Sequence, residues 1–269
     1  MMAKNLLQQV MVKAESHAQK SFLDTQELIE KINHGYIAKR ETKFQQKKSF
    51  APSTIAYSHG ECPRYWYLAF EGADFVDNAD AYGGANMTAG TKSHERIQQA
   101  MADAGILKDS EFKVTWEDPP IFGFGDVILD WGGEDLLGEI KTMPMEGFEY
   151  RKAAGKPKVG HLIQLLIYMR ILNKTKAVLI YENKNNHDLL VLPVEINDYY
   201  IKWVNQAFDW MKTVRKAWED KTLPEKNYRS NSKICKTCPI RATCDVAGKG
   251  EIKIKSLEPL DEKQALPMV

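Results

Sequence analysis

The sequence predicts a mixed α/β fold, a central sheet with helices packed on it. Three observations predict it. Apolar residues change from a helical period to alternation at Phe112, Val114 and Trp116; Trp131-Gly132-Gly133-Glu134 reads as a hairpin turn; and residues 159–173 are apolar nearly all round. A helix that is apolar on every side belongs against a sheet.

Taken in order, residues 5–33 are polar and helix-prone, with apolar positions at Leu6, Val10, Val12, Phe22, Leu23, Leu28 and Ile32. Residues 34–52 read as a basic loop, so that 1–50 form an N-terminal extension. Pro52-Ser53-Thr54 marks a helix start with Ser53 as cap. That helix carries Tyr57, Tyr65, Trp66, Leu68 and Phe70 around Cys62 and is broken at Pro63. A helix over 87–104 contains His94, Ile97, Met101 and Ala104. Alternation then gives a strand through Phe112 and Trp116, which Pro119-Pro120 ends. Strands over 122–130 and 136–142 flank the hairpin turn. The apolar helix 159–173 precedes two strands, 177–181 and 189–194, joined by a polar turn. A long aromatic-rich helix spans 197–219, and a charged tail from 248 is expected to be partly disordered. This order of helix, three strands, helix and two strands describes a sheet covered by helices.

The chain has 269 residues, 43% hydrophobic and 27% charged, with a net charge of +1. Those proportions are those of an ordinary globular protein with enough chain for a large core. A net charge near zero excludes a polycation, so any nucleic-acid contact needs a local patch. Lys39, Arg40, Lys43, Lys47 and Lys48 are the candidate run, and a solvated basic loop is the competing reading. No apolar stretch reaches the roughly 20 residues that span a bilayer. Met1-Met2-Ala3-Lys4 has neither the apolar run nor the cleavage site of a signal peptide. The expectation is a cytoplasmic protein without membrane contact. In a reducing compartment its four cysteines, Cys62, Cys235, Cys238 and Cys244, suit metal ligation better than disulfides.

The chemistry is concentrated in two strands. Asp126 lies in Gly123-Phe124-Gly125-Asp126-Val127-Ile128, and Glu139 and Lys141 lie in Gly138-Glu139-Ile140-Lys141-Thr142. Residues two apart in a strand share a face, so Glu139 and Lys141 project together with Ile140 behind them. If the two strands pair as a hairpin, Asp126 reaches the same point. Two carboxylates and an ammonium suit phosphodiester hydrolysis with a hard divalent cation, Mg²⁺ or Mn²⁺. His94 offers a nitrogen ligand that favours Mn²⁺. An exposed Glu-x-Lys is ordinarily a solvated ion pair. Here the apolar neighbours Leu136, Leu137, Ile140 and Val127-Ile128-Leu129 argue for burial, where charges need a partner. Gln164 and Tyr168, four apart on the apolar helix, share one face and can line the site or form a polar pair in the core.

His94, Asp126, Glu139-x-Lys141 and Gln164-xxx-Tyr168, bracketed by Cys62 and Cys235-x2-Cys238-x5-Cys244, resemble the PD-(D/E)XK nucleases of the RecB-like branch. More narrowly they resemble the iron–sulfur exonucleases typified by the CRISPR-associated exonuclease and its tailed-phage relatives. Residues 50–54 and Cys62-Pro63-Arg64-Tyr65-Trp66 resemble the phage forms, and the match covers about residues 50–246. The resemblance implies a restriction-endonuclease-like mixed sheet with an iron–sulfur domain built from N- and C-terminal segments. It implies Mg²⁺ or Mn²⁺ on His94, Asp126, Glu139 and the Ile140 carbonyl, Lys141 as catalytic lysine, Gln164 and Tyr168 shaping the site, and a 4Fe-4S cluster on the four cysteines. The implied organisation is an extension (1–50), the first part of the iron–sulfur region (51–75), a nuclease core (85–196), a C-terminal helix with the cysteine cluster (197–247) and a tail (248–269).

Four thiolates also suit Zn²⁺. Zinc sites commonly use two close pairs, and Cys62 has no close partner, which together with the resemblance favours the cluster. The leading functional reading is a metal-dependent DNA exonuclease acting in recombination, repair or phage DNA processing on DNA that is single-stranded or has free ends. A homo-oligomer and a recombination or helicase partner in a separate chain are compatible with it. The alternatives are a structure-specific endonuclease and a non-catalytic DNA-binding partner of a larger complex, in which Tyr65, Trp66, Trp203 and Trp210 stack on bases. Gly90-Thr91-Lys92-Ser93 has the wrong register for a phosphate loop, which excludes an ATPase of that kind.

Overall fold

The computed structural model describes residues 23–38, 46–76 and 80–261. The chain divides into two units, one of Met1–Arg40 with Ala79–Asn86, the other of Glu41–Asn78 with Met87–Val269. In the first, helix α1 (Thr25–Ile37) is capped by Asp24, whose carboxylate accepts from the Gln26 and Glu27 amides, and it buries none of its residues. The expected N-terminal helix is thus present from residue 25; residues 5–22 lie outside the described residues, as do Lys39, Arg40 and Lys43.

The second unit begins with short pieces. The single helix expected from Ser53 is instead α2 (Pro52–Ile55), a 3-10 turn at Ser58–Glu61 and α3 (Pro63–Glu71). Ala51, not Ser53, occupies the cap position of α2. Pro63 opens α3 because a proline tolerates the first helical position, and it holds Cys62 extended at φ −88° and ψ 118°. Gly60 permits the tight fold between them, since a Cβ there would lie 1.9 Å from the Thr54 carbonyl oxygen. Lys47 lies half-buried with its ammonium 5.8 Å from the centre of the Trp66 ring, so it is no part of an open basic loop.

Helix α4 (Ala81–Asp103) starts earlier than the sequence predicts, in spite of Gly83 and Gly84. The Asp80 carboxylate accepts from the Gly83 amide at 2.8 Å and caps the helix end. Strands β1 (Leu107–Trp116), β2 (Ile121–Trp131) and β3 (Glu134–Met143) form an antiparallel meander. Gly132 and Gly133, both at positive φ, make the expected two-residue turn. Helices α5 (Met145–Ala154) and α6 (Val159–Ile171) then cross over to β4 (Lys176–Asn183), which pairs parallel with β3. Helix α5 has no counterpart in the sequence prediction. Strand β5 (Leu189–Glu195) completes a five-stranded mixed sheet in the order β1-β2-β3-β4-β5. Helix α7 (Asp198–Glu219) follows, then the short helices α8 (Lys233–Lys236) and α9 (Arg241–Val246) of the cysteine region.

The sheet is buried on both faces. Leu137, Leu179, Tyr181 and Val194 pack with α6 and α7; Ile140, Val178 and Ile180 pack with Ile97 of α4. Helix α6 is buried at every position from Leu162 to Met169. No helix among the described residues is long and apolar enough to cross a membrane.

The first part of the tail is ordered, and residues 262–269 lie outside the described residues. Ile254, Leu257 and Leu260 are buried, the Trp203 indole donates to the Glu258 carbonyl at 2.9 Å, and that of Trp210 donates to the Lys255 carbonyl at 2.8 Å. Ile254, Leu257 and Leu260 therefore join the core from an irregular segment most of whose other residues stay exposed, and the indoles satisfy two of its carbonyls. Tyr65, Trp66 and Trp203 are buried core residues, which removes them as base-stacking surfaces. Leu257→Ala, at a site 6% exposed, is expected to cost about 2–5 kcal/mol, read as a lowered urea midpoint; an unchanged midpoint would mean that the tail does not seal the core.

Candidate functional site

The site forms where the β2–β3 ladder stops. Strand β2 pairs with β3 only from Val127 opposite Gly138 onward. One step before, the Asp126 carboxylate replaces the backbone and accepts from the Ile140 amide at 2.7 Å. The β1–β2 ladder likewise steps from Ser110/Val127 to Phe112/Gly125, passing over Glu111 and Asp126. The ribbon turns over at this point. Val127 and Leu129 pack on the α4 side, whereas a Cβ on Gly123 would lie 2.4 Å from the hydroxyl of Tyr168 on α6. Glu111 sits at the turnover with φ +50°, a left-handed conformation that costs a side-chain-bearing residue about 1 kcal/mol or more.

Asp126, Glu139 and Lys141 meet here, as the sequence predicts. The Lys141 ammonium pairs with Oε1 of Glu139. Glu139 is 0% exposed, and its Oε2 has no hydrogen-bond partner among the described residues. Burial, and then the neighbouring Asp126 charge, push the Glu139 carboxyl up to about 8 against the pull of Lys141. Burial also raises Asp126, opposed by Lys141, His94 and the Ile140 amide. Burial disfavours the charge on Lys141, yet Glu139 and Asp126 together hold its ammonium above the ordinary lysine value.

His94, half-buried on α4, has Nδ1 3.7 Å from Oδ1 of Asp126. Glu111 is the residue that strand alternation missed. One ligand atom from each of His94, Glu111 and Asp126 lies within 4.8 Å of the others, the spacing of a cation site. Gln98 ties this group together by donating to Glu111 Oε1 at 2.9 Å and to the Asp126 carbonyl at 3.1 Å. Gln164 and Tyr168 are buried on α6. Burial and the Glu139 charge push the Tyr168 hydroxyl up, while Gln164 and the Phe124 amide oppose the rise. The Ile140 side chain lies in the α4-side layer, and its amide is the group that orients Asp126. These donors fit a hard divalent cation: hard oxygens, one imidazole, and a buried carboxylate oxygen with no partner of its own.

The cysteines converge from both ends of the second unit. Cys62, Cys235, Cys238 and Cys244 line one cavity of about 30 Å³ with Arg64, Tyr65 and Tyr228. All four are free thiols. Burial pushes the Cys62 thiol up to about 12, opposed by the Tyr65 and Arg64 amides, and it pushes Cys238 up to about 11. Arg64 Nε donates to Cys244 Sγ at 3.2 Å, and the Cys244 amide donates to the Ile240 carbonyl at 2.9 Å.

The mixed sheet with helices on both faces is of the restriction-endonuclease-like kind. The alkaline exonuclease LHK-Exo, in its complex with dAMP, shares this fold at a TM-score of 0.50 and 14% identity, over 67% of this chain and 93% of that one. A second LHK-Exo structure, from Laribacter hongkongensis, aligns at a TM-score of 0.48 and 14% identity, over 70% and 95%. SSO0001 aligns at 0.45 and 15%, over 81% and 96%. No protein-family model and no curated protein matches the sequence.

Because the Glu139 pKa is raised, the folded metal-free protein holds that proton more tightly than the unfolded chain. The resulting stability is complete below the unfolded value and is lost as pH rises through about 8. In chelator, the thermal midpoint should therefore fall between about pH 5 and about pH 9. Glu139→Gln should flatten that fall, and an equally steep fall in the variant would contradict the assignment.

Proposed function

We propose that the chain is a divalent-metal-dependent DNA exonuclease, a phosphodiester hydrolase. The observation that carries this reading is the meeting of Asp126, Glu139 and Lys141 where the Glu139 carboxylate is buried with one oxygen unpartnered. The fold shared with an alkaline exonuclease supports it. Asp126 and Glu139, with His94 and the Ile140 carbonyl, would hold Mg²⁺ or Mn²⁺; Glu111 lies within reach of His94 and Asp126. The cation supplies positive charge against the scissile phosphate and the leaving oxygen. Lys141, kept charged by its two carboxylate neighbours, orients the attacking water and offsets negative charge on the phosphate. The Ile140 amide fixes the rotamer of Asp126. Gln164 hydrogen-bonds the Tyr168 hydroxyl, which stands over Gly123. The biological setting in this reading is recombination, repair or phage DNA processing.

The four cysteines, on the same reading, hold a 4Fe-4S cluster of structural purpose. Four thiols around one cavity, with an arginine donating to a sulfur, suit it.

Glu139→Gln and Lys141→Ala should each lower cleavage of end-labelled linear DNA in Mg²⁺ or Mn²⁺ by about 10²-fold or more. Undiminished digestion by either variant would overturn the site, and cutting of covalently closed circular single strands would replace the exonuclease with an endonuclease. Anaerobically purified protein should carry a visible absorption band that Cys238→Ala removes, together with a loss of stability. A colourless protein with stoichiometric zinc would overturn the cluster.

A further inference from the structure

The first half of β2 presents a face that the acid–lysine chemistry does not use. Gly123 turns towards Tyr168, whereas Phe122 and Phe124 point outward and are 40% and 44% exposed. Their ring centres lie 5.3 Å apart at an interplanar angle of 83°. Lys113 and Thr115 stand directly across β1 from Phe124 and Phe122 on the same face, both exposed. Phe124 is two residues from Asp126, a rise of about 6.6 Å along a strand, and its amide meets the Tyr168 hydroxyl. A single exposed aromatic is ordinary. A perpendicular exposed pair, two residues along β2 from Asp126 and with Lys113 across from it, is more than scattered exposure.

We propose that Phe122 and Phe124 form a corner that receives one unpaired nucleobase of the substrate strand, with Lys113 on the adjoining phosphate. This deepens the nuclease reading and rests on it. Perpendicular rings suit one base: the first stacks on its face, and the second meets its edge. Stacking needs only a π-face, so the corner tolerates any base. A base inside a duplex has both faces covered by its neighbours. The corner therefore takes a single strand or an opened end and sets it beside Asp126.

The test is anisotropy of a labelled oligothymidylate and of a strand of equal length built from abasic residues, in chelator. The wild-type protein should bind the thymidylate strand about tenfold more tightly than the abasic one. The double variant Phe122→Ala with Phe124→Ala should lose that preference and bind the abasic strand as before, while Phe124→Trp should keep it. An unchanged preference in the double alanine variant, or an equal loss on both strands, overturns the corner. Binding is read without metal, so these outcomes stand apart from cleavage: failure of the wild-type protein to digest linear DNA overturns the nuclease reading instead.

Discussion

The site depends on a carboxylate that has been taken out of water without being fully repaid in hydrogen bonds. Glu139 is enclosed on a central strand, and only one of its oxygens meets Lys141. Burial of an ionised group of this kind is costly unless it is paired or neutralised. Two responses are open to the molecule: hold a proton more tightly, the direction in which burial moves this carboxyl, or take a cation. Asp126 and His94, 3.7 Å apart, add donors of the kind that suit a divalent ion. The strain at Glu111 belongs to the same arrangement, because its left-handed backbone lies where the β1–β2 ribbon turns over and where Asp126 must leave the ladder.

Much of this was legible in the sequence because it rests on short-range rules. The alternation of Glu139 and Lys141 about Ile140, the Gly132-Gly133 turn and the all-round apolar α6 each follow from local geometry, and the structure has all three. Glu111 was not legible. A regular strand sends it outward with Lys113, and only a left-handed residue in mid-strand redirects it, a conformation that no glycine or asparagine announces. The anchoring of residues 254–260 was not legible for a related reason: Ile254, Leu257 and Leu260 are scattered among charges, and nothing local reveals that Trp203 and Trp210 satisfy the intervening carbonyls. Helix α5 is weakly patterned, with Phe148 alone buried, and is held by the crossover it serves.

The cysteine region poses an electrostatic question of its own. Arg64 is 1% exposed, and its guanidinium donates to the Pro224 and Gly248 carbonyls at 2.7 Å each, to the Cys244 carbonyl at 3.3 Å and to the Cys244 sulfur at 3.2 Å. Carbonyls satisfy its N–H groups but do not balance its charge. A neutral thiol does not balance it either. Thiolates would, and thiolates are what a metal centre enforces at cysteines whose burial otherwise keeps them protonated. Arg64 ties the C-terminal segment to the cysteine cavity, since the carbonyls it grips at residues 224, 244 and 248 bracket α8 and α9.

The cysteine region approaches the acid–lysine site through backbone. Cys62 ends the 3-10 turn, Gly60 lets that turn fold onto Thr54, and the Ala56 carbonyl lies where a Cβ on Gly160 would come within 2.9 Å. Gly160 opens α6, the helix that carries Gln164 and Tyr168 into the site. A contact between backbones this close cannot slip by a rotamer change, so the turn before Cys62 and the start of α6 are packed in one register. The cysteines and the carboxylates are thus linked by a short rigid path.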